Sequence, residues 1–200
     1  MSKNNFDRIA PFYDRIANAV FGGALLDSQT AYFSILENES EVLILGGGSG
    51  NLLEGLPHVG SIDYVEKSNK MILLACQRKP NNKIVFIHQD FLDWESKKQY
   101  DYIICPFFLD CFSKKNLRKT ISKVRDLLKP GGHLLVSDFE ENATNSLLSW
   151  LMHFFFRICA SLESRSLKSI HIEIISKRFE LAEEKFFHQN MIFSRVYRNL

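Results

Sequence analysis

The sequence predicts an α/β fold, a seven-stranded sheet flanked by helices whose last two strands form an antiparallel pair. Three observations lead to it. Residues 42–51 read V-L-I-L-G-G-G-S-G-N, four apolar residues that stop abruptly in a loop with almost no side chains, as a buried strand would. Further short apolar strands at 61–66, 83–88, 100–105 and 133–139 are separated by helical stretches. Residues 178–188 and 191–198, rich in Phe, Ile, Val and Tyr, read as a closing hairpin around Gln189-Asn190.

Bulk composition narrows the class. A chain of 200 residues with 46% hydrophobic content can bury one substantial core, so a single domain over 1–200 is expected. The formal charge of +2, without a long basic run, gives nucleic acid little to bind and leaves small molecules as the expected partners. Cys76, Cys105, Cys111 and Cys159 show no metal-ligand spacing and fall in apolar stretches, which suggests reduced, packed thiols and no metal. The polar start carries no secretory pattern, and the longest apolar run, 147–159, is shorter than the ~20 residues of a bilayer span. A cytoplasmic location is expected.

Taken in order, residues 6–21 read F-D-R-I-A-P-F-Y-D-R-I-A-N-A-V-F, with Ile9, Phe12, Ile16, Ala19 and Val20 on one face and Pro11 ending or restarting the helix. Gly22-Gly23 breaks the chain, and 24–36 reads as a second helix leading into the first strand. A cluster of glycines such as Gly46, Gly47, Gly48 and Gly50 is worth its entropic cost where the backbone turns left-handed or a ligand comes close. Leu52, Leu53 and Leu56 then suggest a helix whose first N–H groups face the same ligand. Neither the dinucleotide fingerprint nor the P-loop fits. The third glycine of G-x-G-x-x-G would have to stand at Asn51 or Leu53, and no Gly-Lys-Ser/Thr follows. Glu66 closes the second strand about twenty residues past Gly46, where nucleotide sites place the carboxylate that accepts ribose hydroxyls; a chance acid at a strand end is the plainer reading.

Ser68 is a plausible N-cap for a helix over 68–78, and 80–82 is a turn. The third strand ends in H-Q-D-F, where Asp90 would initiate an Asx turn or accept from a ligand. The fourth runs into P-F-F-L-D-C-F. Phe107 and Phe108 there read as a pocket wall or as core, and Asp110 as the nearest ionisable group. Ser113 caps a helix through Leu128, which stops at L-L-K-P-G-G before the fifth strand. Residues 146–161 form a helix candidate apolar on most sides, with Ser149, His153 and Arg157 as one polar stripe. Such a helix needs a cover: a substrate pocket with Trp150 and His153 facing it, a second copy or membrane surface, or the core. Residues 162–177 read as a shorter helix.

Several of these stretches resemble one family. Gly46, Gly48 and Gly50 make G-x-G-x-G, similar to the first motif of class I S-adenosylmethionine (SAM) methyltransferases, and L-L-K-P-G-G-H-L-L-V-S-D-F is similar to their late signature. F-D-R-I-A-P-x-Y-D looks like the N-terminal segment of the ubiquinone/menaquinone biosynthesis methyltransferases, without the His and Trp those enzymes carry downstream. The resemblance implies a Rossmann-like seven-stranded sheet, N-terminal lid helices over 4–38 and a cap region over 144–177. It implies SAM as cofactor and S-adenosylhomocysteine as product, held by Tyr13, Gly46, Gly47, Gly48, Ser49, Gly50, Asn51, Glu66, Lys67, Asp90, Phe91, Cys105 and Pro106. Asp90 would take the exocyclic amine of adenine and Phe91 the ring edge. Phe107, Phe108, Asp110, Phe139, Trp150 and His153 would line the acceptor site, with Asp110, Asp138 and His153 as candidate bases.

One departure matters. The family carries an acid two places before the first glycine, where this chain has Ile44. Methyl transfer to a small lipophilic or aromatic acceptor is nevertheless the leading expectation. A catalytically silent SAM-fold module, with 146–161 covered by a partner, is the second, and an NAD-linked oxidoreductase the third.

Overall fold

A computed structural model describes residues 21–78, 81–140 and 170–200. The chain forms one seven-stranded sheet in the order β3-β2-β1-β4-β5-β7-β6. The strands are β1 (Glu41–Leu45), β2 (Ser61–Glu66), β3 (Ile84–His88), β4 (Tyr100–Pro106), β5 (Leu128–Phe139), β6 (Phe179–Phe187) and β7 (Ile192–Asn199). The first five are parallel neighbours, and β7 runs antiparallel to both β5 and β6. The expected closing hairpin is present.

β1 explains the layering. Val42, Leu43, Ile44 and Leu45 are each fully buried, and side chains along a strand alternate between faces. Leu43 and Leu45 enter one core with Leu117, Ile121 and Val124 of α3 (Lys114–Leu127) and with Ile170 and Ile174 of α4 (Ile170–Ile175). Val42 and Ile44 enter the other, with Tyr32, Phe33, Leu52, Leu53 and Tyr64. Each such side chain withdrawn from water contributes roughly 1.5–3 kcal/mol. The sheet is therefore covered on both faces, and its ligand sites must lie at strand ends.

Local rules account for most boundaries. In α2 (Asn69–Gln77), the Ser68 side chain accepts from Met71 N–H, and in α3 Ser113 accepts from Asn116 N–H, the two N-caps expected. Three expectations are corrected. Residues 24–36 do not form one helix; α1 (Ala24–Thr30) is followed by a separate 3-10 turn at Phe33–Ile35, which sets Phe33 and Tyr32 into the core. The stretch after the glycine loop is a 3-10 turn, Asn51–Gly55, because Leu52 and Leu53 dive together into the core and the chain leaves extended at Leu56. The L-K-P-G-G segment belongs to β5, not to a stop before it. β5 pairs with β4 from Leu128 onward, and a register shift absorbs the break around Gly131 (φ +76°).

The described cysteines are free: Cys105 is buried, Cys111 half-buried, and Cys76 exposed, so Cys76 is not the packed thiol expected. It lies at the border of the α2 face that buries Met71, Ile72 and Ala75. Tyr13, Trp150, His153, Cys159 and the helix expected over 146–161 lie outside the described residues, as do residues 4–20 of the N-terminal lid region and 144–169 of the cap region. Among the described residues no helix is long and apolar enough to cross a membrane.

Gly50 tests the junction between the loop and α2. Its φ is +77°, and a Cβ there would stand 2.9 Å from the Ala75 side chain and 3.0 Å from its backbone. Gly50→Ala should lower unfolding stability in urea by ~1–3 kcal/mol, since strain and overpacking act together. A change below a few tenths of a kcal/mol would show that the loop relaxes freely.

Candidate functional site

The glycine loop leaves the carboxyl end of β1 with Gly46 N–H donating to Val65 C=O of β2 at 2.9 Å. Its glycines serve different purposes. A Cβ on Gly46 would strike the Phe108 ring, and one on Gly47 would strike the Tyr64 ring, so these two are demanded by packing. Gly48 has φ +61° and nothing within 4 Å of where its Cβ would stand. Among the described residues it is the point at which the loop faces open space.

Groups outside the motif hold this loop. The Tyr64 hydroxyl donates to Gly48 C=O at 2.9 Å, and Arg78 Nε donates to Ser49 C=O at 3.3 Å while its guanidinium pairs with Glu54. Sequence reasoning missed both, because neither Tyr64 nor Arg78 belongs to a local pattern. Glu66, at the end of β2, accepts from Gly48 N–H at 3.2 Å and from Ser68 N–H at 2.7 Å. The predicted acid is thus beside the predicted loop, joined to it by a hydrogen bond.

Asp90, past the end of β3, does initiate the Asx turn: its Oδ1 accepts from Leu92 N–H at 3.0 Å. Its Oδ2 pairs with Lys67 Nζ at 2.7 Å, which ties the ends of β2 and β3 together. Phe91 is buried, with its ring 6.0 Å from that of Phe108 and 6.1 Å from that of Trp94. Lys123 braces this turn from α3, donating to Phe91 C=O at 2.9 Å and to Trp94 C=O. Lys123 carries no sequence signal for that role.

The ends of β4 and β5 bring together an aromatic wall and two carboxyls. Cys105 and Pro106 are buried in β4, and burial pushes the Cys105 thiol well above its usual range. Phe107 holds φ +50°, a conformation that costs a non-glycine residue of order 1–3 kcal/mol. Its N–H donates to Ser137 C=O at 2.7 Å, and its ring lies 4.9 Å from that of Phe139. Phe21 adds a third ring 5.5 Å from Phe139.

Below this wall Asp138 is fully buried, Oδ1 accepting from Phe139 N–H at 2.9 Å and Oδ2 from Asp110 N–H at 3.2 Å. Cys111 Sγ–H donates to Asp110 Oδ1 at 3.4 Å. Burial and then the nearby Asp110 charge hold the Asp138 carboxyl well above the usual range. Burial likewise pushes Asp110 up to about 6, against the opposing Cys111 hydrogen bond. Both carboxyls therefore keep their protons to a higher pH than isolated aspartates do.

Ile44 is fully buried among Val42, Leu52 and Tyr64, so apolar packing fills the place of the absent motif acid. The structure brings together the loop, Glu66, Lys67, Asp90, Phe107, Phe108, Asp110, Asp138 and Phe139 along the carboxyl edge. A ligand with a diol and an exocyclic amine would find acceptors here, two carboxylates at neighbouring strand ends beside the side-chain-free Gly48. Among the described residues, no group of three or more His, Cys, Asp or Glu is arranged to hold a metal ion.

Comparison with known proteins identifies the family. A methyltransferase domain family model matches residues 15–171. The malonyl-[acyl-carrier protein] O-methyltransferase of Priestia megaterium (strain DSM 319 / IMG 1521) is 30% identical over 156 residues, 76% of this chain and 56% of that protein. The chain thus spans little more than half the length of that curated relative. The N-methyltransferase NodS from Bradyrhizobium japonicum WM9, in complex with S-adenosyl-L-homocysteine, superposes with a TM-score of 0.67 at 17% identity, covering 99% of this chain and 89% of that one. A chain of the complex between the Haloferax volcanii Trm112 methyltransferase activator and a methyltransferase gives a TM-score of 0.72 at 16% identity, covering 96% and 97%. At such identities these likenesses establish the fold.

The carboxyl pair predicts a pH dependence of stability. With both folded pKa values raised, the folded chain binds protons that the unfolded chain releases. The pair's stabilising contribution is full below the ordinary aspartate value of ~4 and is lost as pH rises, for Asp110 through about 6. Asp110→Asn should flatten the fall in urea stability between those two values and leave the acid side little changed. An unaltered profile would show that Asp110 titrates normally.

Proposed function

This chain belongs to the class I SAM-dependent methyltransferase family, and on that premise we propose that it transfers a methyl group from SAM to a small, lipophilic or aromatic acceptor. The observation that carries the reading is the junction of Gly48 and Glu66. A loop position open to space is hydrogen-bonded at 3.2 Å to the carboxylate that ends the neighbouring strand.

SAM supplies an electrophilic methyl group on a sulfonium. The chain's own residues then bind and align. Glu66 accepts from the ribose hydroxyls, Asp90 accepts from the adenine amine, and the backbone from Gly46 to Asn51 lies along the cofactor. Cys105 and Pro106 contribute main chain at the end of β4, and Tyr13 closes over the cofactor from the N-terminal segment. Phe107, Phe108 and Phe139 form an apolar wall on the acceptor side, and Trp150 and His153 complete it from the cap region. Holding the acceptor atom in line with the methyl carbon is the main catalytic demand, able to supply ~7–11 kcal/mol. Where the acceptor must lose a proton, Asp110, Asp138 and His153 are the candidate bases. We place the protein in the cytoplasm, as one domain over 1–200, with membrane-surface or homodimer contact through 146–161.

Ile44 favours a second reading, a catalytically silent module that keeps the fold without the cofactor. One charge-assisted hydrogen bond to the cofactor's amino group, worth ~1.5–3 kcal/mol, is missing at that position. Calorimetric titration with SAM, S-adenosylhomocysteine and NAD in parallel separates the possibilities. Micromolar binding of the first two without NAD supports the transferase. Binding of none leaves the silent module, and binding of NAD alone would overturn both.

Two variants refine the test. Gly48→Ala has room for its methyl group but a strained φ, so it should stay folded at a cost of about 1 kcal/mol and lose at least tenfold in SAM affinity. Glu66→Gln should weaken SAM roughly ten- to a hundredfold, the loss of a charge-assisted hydrogen bond. Unchanged affinity in either would remove that residue from the cofactor site.

A further inference from the structure

The carboxylates that end β2 and follow β3 are held by different kinds of donor. Glu66 accepts from the backbone N–H groups of Gly48 and Ser68, which cannot leave without moving the chain. Asp90 is equally fixed on one side. Its Oδ1 accepts from Leu92 N–H at 3.0 Å, and its carbonyl accepts from the N–H groups of Asp93 and Trp94 at 3.0 and 2.9 Å. Its Oδ2, however, is taken by the ammonium of Lys67 at 2.7 Å.

Lys67 combines an anchored backbone with a mobile tip. Its carbonyl lies 3.1 Å from His88 Nε2, and Gln89 N–H donates to Glu66 C=O at 3.1 Å, so the main chain is stitched to β3. Its side chain is 53% exposed, against 28% for Asp90. The carboxylate is therefore the rigid member of the pair and the ammonium the one that can yield. An exposed ion pair of this kind is weak and is screened by salt.

Resting on the cofactor reading above, we propose that Lys67 is a latch on the base-recognition carboxylate, holding it until an adenine amine displaces the ammonium. Its ammonium occupies Asp90 Oδ2, and an adenine base would enter by exchanging its exocyclic amine for that ammonium. A 6-oxo purine presents an acceptor at the same position and has no donor there to exchange. The latch thus lowers affinity for every adenosyl ligand by a small, salt-sensitive factor.

The test compares wild type with Lys67→Met by calorimetric titration at low and high salt, using S-adenosylhomocysteine, the uncharged 5′-methylthioadenosine and its 6-oxo counterpart 5′-methylthioinosine. At low salt Lys67→Met should bind both adenosyl ligands about two- to fivefold more tightly, the range of an exposed ion pair. It should gain nothing toward methylthioinosine. Wild-type affinity for methylthioadenosine should rise with salt, and that rise should vanish in the variant. Equal or weaker adenosyl binding by Lys67→Met, or an equal gain for methylthioinosine, overturns the latch while the cofactor reading stands. Absence of S-adenosylhomocysteine binding in both proteins overturns the cofactor reading and the latch with it.

Discussion

Burial of β1 on both faces is the constraint from which the site follows. With Val42 and Ile44 committed to one core and Leu43 and Leu45 to the other, none of these four side chains is available to a ligand. Binding is displaced to the carboxyl edge, where the chain must turn under two aromatic rings. Phe108 and Tyr64 press so closely on Gly46 and Gly47 that only glycine fits beneath them. The loop is thus shaped from below by core packing, which leaves Gly48 facing outward. The same Tyr64 ring that excludes a side chain at Gly47 donates its hydroxyl to Gly48, so packing and hydrogen bonding fix one conformation.

The edge divides into two electrostatic districts. Around Glu66 and Asp90 the carboxylates are satisfied by N–H groups and by Lys67, an arrangement suited to neutral donors such as hydroxyls and an amine. Around Asp110 and Asp138 the carboxyls are buried near one another and hold protons more tightly than usual. Between them lies Phe107, whose left-handed backbone is stabilised by its contact with Ser137 and the ring of Phe139. Strain at the junction of two functional districts is where a fold tends to accept it.

Antiparallel β7 supports the second district. It pairs with the whole outer half of β5, opposing Phe193 to Asp138 and Ile192 to Phe139. The buried Asp138 therefore rests between β4 and β7 in the interior of the sheet. Arg195, further along β7, is itself buried and paired with Glu184 and Glu140, with its guanidinium 4.0 Å over the Phe193 ring. The hairpin is held by these charges as well as by its ladder.

The strands and the antiparallel pair that closes the sheet were legible because they depend on local, periodic information. Apolar runs bounded by glycine and acid mark β1 and β2, and Ser68 and Ser113 mark their helices by the chemistry of their hydroxyls. The glycine motif and the late L-L-K-P-G-G stretch pointed to the family in the same way. What the sequence could not decide was how side chains distant in sequence compete for the same space and the same polar atoms. The 3-10 turn at 51–55 replaced a helix because Leu52 and Leu53 are both claimed by one core. The inclusion of Leu128 to Gly132 in β5 depended on a partner, Tyr100, that lies far away in the chain. The Lys67–Asp90 pair, the Asp110–Asp138 pair and the Tyr64 support of the loop all join residues at least 16 positions apart. Periodicity reports which face a residue takes; only the assembled sheet determines which neighbours it meets there.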